Sequence, residues 1–360
     1  MRKSCGVYQL KKYNIVDLFS GAGGLSYGFE MAGFNVLLGI DNDEKALETF
    51  QKNHQNSEIL CGDIANISYE EDIKPIIGEQ KIDIIVGGPP CQGMSLSGPR
   101  RFDDPRNKLY LSYIRLVREI QPTAFVIENV IGIVSLFKGQ IKDTIIEEFS
   151  KMGYKVQFKV LLASDYGVPQ NRKRVIFVGT RNDGFEYPEA LGTIITTEMA
   201  ISDLPTLENE LGEIEMSYVS EPQNDYQKLM RKRSNVVLNH VAAKHSEKVI
   251  STIALVPDGG NYKNLPKELR ETRKFNVAWT RFASWKPAPT IDTGHRHHFH
   301  YKYNRVPTVR ESARLQSFPD DFIFYGSKTQ QFRQVGNAVP PLMAQQIANN
   351  LLKYLKNNEE

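Results

Sequence analysis

The chain has 360 residues, of which 41% are hydrophobic and 24% are charged, and its formal net charge at pH 7 is +3. This composition is that of an ordinary globular protein, and no apolar run approaches the ~20 residues that a membrane-spanning helix needs. The three cysteines, at positions 5, 61 and 91, have neither metal-site nor disulfide-framework spacing, which predicts a reducing cytoplasm. The length exceeds a usual single core, so we expect roughly two domains.

Apolar runs alternate with amphipathic stretches through the first half of the chain. Strands are predicted near residues 13–18, 35–40, 58–60, 82–87, 123–128, 155–162 and 174–179, and helices near 24–33, 43–54, 108–120 and 139–152. This alternation predicts an α/β fold with a doubly wound, mostly parallel sheet. It stops near Tyr187, and one more amphipathic helix is predicted over residues 342–355.

The first strand runs into a glycine-rich turn, Phe19-Ser-Gly-Ala-Gly-Gly24. Glycines allow close approach of a ligand to the backbone and positive φ angles. Asp41 ends the second predicted strand, 20 residues after Gly21, where its carboxylate could accept hydrogen bonds from ribose hydroxyls. These features alone also fit NAD, but the loop departs from Gly-x-Gly-x-x-Gly, so the pyrophosphate signature is incomplete.

Residues 82–92 combine an apolar β-branched run with Gly-Gly-Pro-Pro and then Cys91-Gln92. This pattern predicts a buried strand that enters a rigid turn at the carboxyl edge of the sheet, where ligands bind in open α/β folds. A cysteine is usually a small buried hydrophobe, which accounts for Cys61. It does not account for two prolines before Cys91, so we expect the Cys91 thiol to face a cleft.

Polar residues follow the next strands in the same way. Glu128 ends the strand near 123–128, and Asn129 is expected to fix the loop around Cys91. Arg172 and Arg174 stand two residues apart at a strand start, so both guanidinium groups share one face of an extended chain. Taken alone, Glu128 is equally well explained by a strand-end salt bridge with one of these arginines.

Charge is unevenly distributed in the second half. Residues 187–225 contain nine acidic residues and no Lys or Arg, whereas residues 226–318 contain 18 Lys or Arg against six acidic residues. A charge run is often only a solvated face, but here aromatic residues are interleaved, which favours nucleic-acid contact. These aromatic residues are Trp279, Phe282, Trp285, Phe299, Tyr301 and Tyr303.

Five motifs occur in one order: Asp17-Leu-Phe-Ser-Gly-Ala-Gly-Gly24, Pro89-Pro-Cys-Gln92, Glu128-Asn-Val130, Gln170-Asn-Arg-Lys-Arg174 and Gln334-Val-Gly-Asn-Ala-Val-Pro-Pro341. In these motifs the chain closely resembles the DNA cytosine-5 methyltransferases, over about residues 13–180 and 305–350. The resemblance implies a Rossmann-like domain that uses S-adenosylmethionine (SAM), formed by residues 1–186 plus 331–360. A smaller target-recognition domain would span residues 187–330.

The resemblance also implies roles for individual residues. Cys91 would be the nucleophile, Glu128 would contact ring nitrogen 3 and the exocyclic amine of cytosine, Arg174 would hold the ring carbonyl, and Arg172 would order the cluster. SAM-binding roles are expected for Phe19, Gly21, Ala22, Gly23, Gly24, Leu25, Asp41, Asp63, Ile64, Pro90, Asn337 and Val339.

DNA contacts are expected from two segments. The Gly/Ser/Pro-rich stretch 93–107 suits a closing loop, and the expected contacts in and beside it are Gln92, Ser95, Ser97, Arg100, Arg101 and Arg106. In the basic block, residues 279–285 and 290–300 supply Arg281, Arg296 and His297. Histidines 295, 297, 298 and 300 also suggest zinc, but no cysteine or acidic partner has suitable spacing, so we expect no metal.

The sequence therefore predicts SAM-dependent methylation of carbon 5 of a flipped-out cytosine in a short duplex DNA sequence, as the modification half of a restriction-modification system. We expect a cytoplasmic, nucleoid-associated bacterial monomer that acts on double-stranded DNA. A cognate endonuclease that acts on the same sequence without a stable complex is compatible with this expectation. Two alternatives stay open: an RNA cytosine-5 methyltransferase, disfavoured by the long basic insertion, and a catalytically silent regulator that binds SAM and DNA.

Overall fold

A computed structural model describes residues 12–90, 109–208, 210–270, 279–294 and 298–358, apart from the side chains at positions 136 and 137. Its first half contains eight strands: β1 (Asn14–Leu18), β2 (Asn35–Asp41), β3 (Glu58–Cys61), β4 (Ile84–Gly87), β5 (Ala124–Asn129), β6 (Lys155–Leu162), β7 (Gln170–Asn171) and β8 (Lys173–Thr180). Five short strands follow: β9 (Glu215–Ser217), β10 (Val236–Leu238), β11 (Thr280–Arg281), β12 (Ala288–Pro289) and β13 (His298–Phe299).

The α-helices of the described residues are α1 (Gly24–Met31), α2 (Glu44–Asn53), α3 (Lys74–Ile77), α4 (Leu109–Ile120), α5 (Gly132–Ser135), α6 (Gln140–Lys151), α7 (Thr197–Ile201), α8 (Asp225–Arg231), α9 (Glu247–Ala254), α10 (Lys267–Arg270), α11 (Val309–Leu315), α12 (Lys328–Asn337) and α13 (Pro341–Asn357). None of the helices in these ranges is both long and apolar enough to span a bilayer.

A seven-stranded sheet has the order β3-β2-β1-β4-β5-β8-β6. The first five strands pair in parallel, whereas β8 runs antiparallel to both β5 and β6. The strand order reverses between β1 and β4, which makes a crevice at their carboxyl ends. The predicted α/β class with a doubly wound, mostly parallel sheet is confirmed.

Both faces of the sheet are covered by helices, as continuous apolar strands require. Ile84 and Val86 of β4 belong to one core cluster together with α1 and α13, while Ile85 belongs to a second cluster with α4 and α6. The carboxyl-terminal helix packs closely on α1, since a Cβ atom on Gly28 would lie 2.4 Å from the Ala344 Cβ. The predicted return of the tail to the first half is therefore observed.

The two predicted ends of the target-recognition domain, residues 187 and 330, do not separate one hydrophobic core from another. Phe318 and Phe322, which precede residue 330, lie in the same core cluster as α1 and α13, and so do Phe185 and Ile195 on both sides of residue 186. A separate small core lies further inside the segment, formed by Ile253, Val256, Leu265, Phe299 and Val306. The division into two domains thus stays a prediction. Both ends of segment 187–330 pack in the same core as the helices on the sheet.

Candidate active site

The carboxyl ends of five neighbouring strands meet at one cleft. The residues that line it come from the turns after β1, β2, β3 and β4 and from the end of β5, and α12 closes one side. Because β8 is antiparallel, its beginning lies at this edge, which brings Arg172 and Arg174 to the ends of the parallel strands. The larger lobe of the cleft has a volume of about 650 Å³, a size typical of small-molecule sites.

The turn after β1 is held in a strained form by Asp41. Phe19 has a φ of 61° and Gly21 a φ of 53°, both in the left-handed region. The Gly21 amide donates to Asp41 Oδ2 at 2.8 Å, and the Asp43 amide donates to Asp41 Oδ1 at 2.9 Å. Asp41 thus fixes the backbone of the turn, and burial raises the pKa of its carboxyl.

Most of the predicted cofactor residues line the cleft: Phe19, Gly21, Ala22, Gly24, Leu25, Asp41, Asp63, Ile64, Pro90, Asn337 and Val339. Gly23 does not, and its Cβ position would lie 2.2 Å from His54 Nε2. The reason for glycine at position 23, the residue that precedes α1, is therefore its left-handed φ of 90° and the ring packed behind it, rather than a ligand.

Sequence reasoning missed Asp17, which lies under the same turn. Its side chain is 1% exposed and lines the cleft, and Oδ2 accepts a hydrogen bond from Ser26 Oγ at 2.6 Å. The other oxygen, Oδ1, has no hydrogen-bond partner in the described structure. Burial, reinforced by nearby Asp41, raises the pKa of Asp17 to about 7. An acidic residue inside an otherwise apolar strand was the available signal.

Two further cleft residues were also missed. Asp43 caps α2, and Arg333 of α12 donates to Asp43 Oδ2 at 2.6 Å across the rim. Among the described residues, the cofactor end of the cleft therefore contains four carboxyl groups and one arginine, which is paired with one of them. The four are Asp17, Asp41, Asp43 and Asp63.

At the other end of the cleft, Arg174 Nε lies 2.8 Å from Glu128 Oε1. Glu128 is 8% exposed, and Oε1 has no hydrogen-bond partner of good geometry despite this ion pair. The salt bridge considered for Glu128 from sequence is thus present, and it lies inside the cleft. Asn129 Nδ2 donates to the carbonyl of Pro89 at 2.8 Å, so Asn129 anchors the turn that leads to Cys91.

Arg172 is 1% exposed and faces backbone. Its Nη1 donates to the Ile291 carbonyl at 3.2 Å and its Nη2 to the Gly336 carbonyl at 2.9 Å. Burial and the neighbouring Arg174 lower the pKa of Arg172 well below its usual range.

Several predicted residues lie outside the described part of the chain. They are Cys91, Gln92, Ser95, Ser97, Arg100, Arg101, Arg106, Arg296 and His297. Pro90, which precedes Cys91 in the sequence, lines the cleft beside Glu128 and Arg174.

Arg281, which was predicted to contact DNA, lies in this structure as an internal brace. The residue is 5% exposed, and Nε and Nη2 donate to the carbonyls of Val256 and Ile253 at 2.6 and 2.7 Å. Nη1 and Nη2 also reach the carbonyls of His300 and Tyr303 and the side chain of Asn304. These bonds use the donors of the guanidinium group, so none is left for a base edge.

Three of the interleaved aromatic residues are also internal. Phe282, Phe299 and Tyr301 are buried, whereas Trp285 is 61% exposed. His300 is buried too, and burial lowers its pKa to about 3, so its ring is neutral at pH 7. Within the described ranges no group of three or more His, Cys, Asp or Glu side chains could hold a metal ion.

Comparison with known proteins gives concordant matches. The family model of C-5 cytosine-specific DNA methylases matches residues 13–353. The Type II methyltransferase M.DdeI of Desulfomicrobium norvegicum is 40% identical over 96% of this chain and 89% of its own length. The Type II methyltransferase M1.HphI of Haemophilus parahaemolyticus is 39% identical, with coverage of 98% and 92%.

Solved structures share the fold. A crystal structure described as a DNA modification methyltransferase encoded within an E. coli prophage is 31% identical, with a TM-score of 0.81 over 96% of this chain and all of that chain. The Entamoeba histolytica methyltransferase EhMeth is 17% identical, with a TM-score of 0.63 over 96% of this chain and 99% of its own, and it supports the fold alone.

Proposed function

The chain belongs to the C-5 cytosine-specific DNA methylases, and from that premise we propose that its cleft binds SAM at the acidic end and a flipped-out cytosine at the Glu128–Arg174 end. The observation that carries this proposal is the polarity of the cleft. Carboxyl groups lie at the ends of β1 to β3, whereas Arg172 and Arg174 lie at the beginning of β8, beside the end of β5.

The acidic end fits SAM better than a dinucleotide. SAM is a sulfonium that also carries an ammonium group, and it supplies an electrophilic methyl group when bound. The carboxyl groups at this end would repel a pyrophosphate and attract such a cation, although Arg333 is paired with Asp43 and Asp17 contributes a negative charge only as the pH rises to about 7. Asp41 keeps lone pairs for ribose hydroxyls beyond its two backbone bonds, so it could hold both the turn and the ligand.

The other end suits activation of a cytosine ring. Carbon 5 of cytosine is too weak a nucleophile to accept a methyl group unaided, and addition of the Cys91 thiolate to carbon 6 solves this by placing electron density on carbon 5. Glu128, carrying a proton, would donate to ring nitrogen 3, and Arg174 would donate to the ring carbonyl. After methylation a base removes the carbon 5 proton and the Cys91–carbon 6 bond breaks, which releases the thiolate.

The target base must leave the duplex for this chemistry, because carbon 6 is inaccessible in a stacked helix. We therefore propose double-stranded DNA as the substrate, acted on at the bacterial nucleoid by a monomer. Since M.DdeI and M1.HphI are named Type II methyltransferases, we also propose that this enzyme modifies the recognition sequence of a cognate endonuclease.

The proposal is tested by expressing the wild type, Cys91→Ala and Glu128→Gln in a host without cytosine methylation and sequencing bisulfite-treated DNA. We expect protected cytosines at one recurring short motif in the wild type, none with Cys91→Ala and a strong reduction with Glu128→Gln. Arg333→Lys, at the acidic end, serves as a control that should keep the same motif. If the wild-type protein is soluble but the host DNA contains no protected cytosines, the proposal is contradicted. An RNA substrate or a catalytically silent regulator would then be favoured.

A further inference from the structure

Arg172 lies where three parts of the chain meet. Its buried guanidinium donates to the carbonyl of Ile291 and to the carbonyl of Gly336. Ile291 belongs to the predicted target-recognition domain, residues 187–330, here called the recognition segment. Gly336 lies at the end of α12, in the cofactor-binding segment 336–339. Strand β8, which begins one residue after Arg172, carries Arg174, whose Nε is 2.8 Å from Glu128 Oε1. One side chain thus touches the backbone of the recognition segment and of the cofactor-binding segment, next to the residues proposed to hold the base.

The recognition segment is tied to the same place by several other bonds. Strand β12 pairs in parallel with β7, and the Ile291 amide donates to Gln170 Oε1 at 2.9 Å. Thr290 Oγ1 donates to the carbonyl of Asn171 at 3.0 Å. Thr293, two residues after Ile291, lines the cleft. Residues 288–291 are therefore tied to β7, and Thr293, two residues further on, forms part of the wall of the proposed active site.

The cofactor-binding segment touches the recognition segment backbone to backbone. A Cβ atom on Gly336 would lie 2.3 Å from the carbonyl oxygen of Asp292, so only glycine fits there without a shift. Asn337 and Val339, which follow Gly336, line the acidic end of the cleft. A shift of this segment on cofactor binding would be transmitted to residues 291–293, both through this contact and through Arg172.

We propose that Arg172 is a positioning residue that couples cofactor binding to DNA binding, because each ligand would stabilise the same arrangement of the Ile291 and Gly336 carbonyls around its guanidinium. This inference rests on the proposed function. Coupling of this kind is reciprocal: the factor by which the cofactor tightens DNA binding equals the factor by which DNA tightens cofactor binding.

The test measures that factor in full-length protein. The probes are S-adenosylhomocysteine, which allows no turnover, and a duplex that contains the motif found by bisulfite sequencing. Kd values for each probe, alone and with the other saturating, are measured for the wild type, Arg172→Lys and Gly336→Ala. The matched control is Arg118→Lys, an arginine outside the cleft whose exposed side chain pairs with Glu148 of α6.

We expect a coupling factor of about 5 to 150 in the wild type and in Arg118→Lys. Arg172→Lys, which keeps the charge but cannot bridge both carbonyls, should lower the factor to about 2 or less while each probe still binds alone. If Arg172→Lys does not fold, Gly336→Ala decides the question, since its Cβ displaces the Asp292 carbonyl and should lower the factor similarly.

Two results would overturn the inference: a wild-type factor below about 2 with both probes bound, or an unchanged factor in folded Arg172→Lys. Failure of the wild type to bind either probe would overturn the proposed function itself, and with it the coupling. The factors measured from the two sides must agree, so their agreement checks that the Kd values are equilibrium values.

Discussion

Replacing Asp17 by asparagine should change how the stability of the protein depends on pH. The carboxyl is buried, Oδ2 accepts a hydrogen bond from the Ser26 hydroxyl, and Oδ1 has no hydrogen-bond partner of good geometry in the described structure. Burial, with Asp41 nearby, raises the pKa of Asp17 from 3.8 to about 7. The folded protein therefore keeps a proton that the unfolded chain releases near pH 4.

The sign of the effect follows from this difference. Because the pKa of an acid is raised in the folded state, the proton's stabilising contribution is complete below the unfolded pKa and is lost as pH rises to about 7. The full loss amounts to about 4 kcal/mol at 1.36 kcal/mol per pKa unit. Between pH 5 and pH 8 the wild type should lose about 3 kcal/mol of it. An asparagine, neutral at every pH, loses none.

Urea unfolding of the two proteins without ligands, at half-unit steps from pH 5 to pH 8, measures this difference. The free energy of unfolding of Asp17→Asn relative to wild type should rise by about 3 kcal/mol across that range. Ser26→Ala provides an independent check, because it removes a hydrogen bond that lowers the Asp17 pKa and should extend the window to higher pH. Parallel pH curves for Asp17→Asn and wild type would refute the assignment of a proton to this carboxyl.

Three other substitutions test the remaining parts of the site. Arg281→Ala should lower the free energy of unfolding by about 3–5 kcal/mol, since it leaves several buried carbonyls without donors. A variant that is as stable as the wild type in urea but binds DNA more weakly would show instead that Arg281 contacts DNA. Glu128→Gln should lower kcat for methyl transfer by about 10² to 10⁴ with little change in stability, and a kcat within twofold of wild type would exclude its proposed role. Gly24→Ala should lower the free energy of unfolding in urea by about 1–3 kcal/mol, because its Cβ would lie 2.4 Å from the Val339 carbonyl oxygen. Gly62→Ala, whose Cβ would have its nearest contact at 3.3 Å, should lower it by less. Equal losses in the two variants would contradict the packing argument.

The sheet and the edge that holds the site could be predicted from sequence because both depend on local patterns. Apolar β-branched runs identify buried strands without knowledge of their partners, and a polar residue at the end of such a run lies at the carboxyl edge. That reasoning brought Asp41 and Glu128 to one cleft. The antiparallel direction of β8 was not predicted, although it is what carries Arg174 to this edge.

Long-range packing could not be predicted in the same way. Gly23 and Gly24 belong to one glycine-rich turn, yet the Cβ position of Gly23 faces His54 and that of Gly24 faces the Val339 carbonyl. Asp17 was passed over because its environment depends on Ser26 of α1 and on the depth of the sheet. A sequence motif lists residue types, but which of them face a ligand depends on elements distant in the chain.

The basic block shows this limit most clearly. Four arginines of the block, spaced through its second half, are buried and donate to backbone carbonyls: Arg281, Arg305, Arg310 and Arg314. The described strands of residues 187–330 are only two or three residues long, so many of its carbonyls lack partners in a sheet or helix. The five donors of a guanidinium group satisfy several such carbonyls at once. An excess of arginine in an irregular segment therefore reflects backbone satisfaction as well as contact with DNA, and a charge count from sequence cannot separate the two.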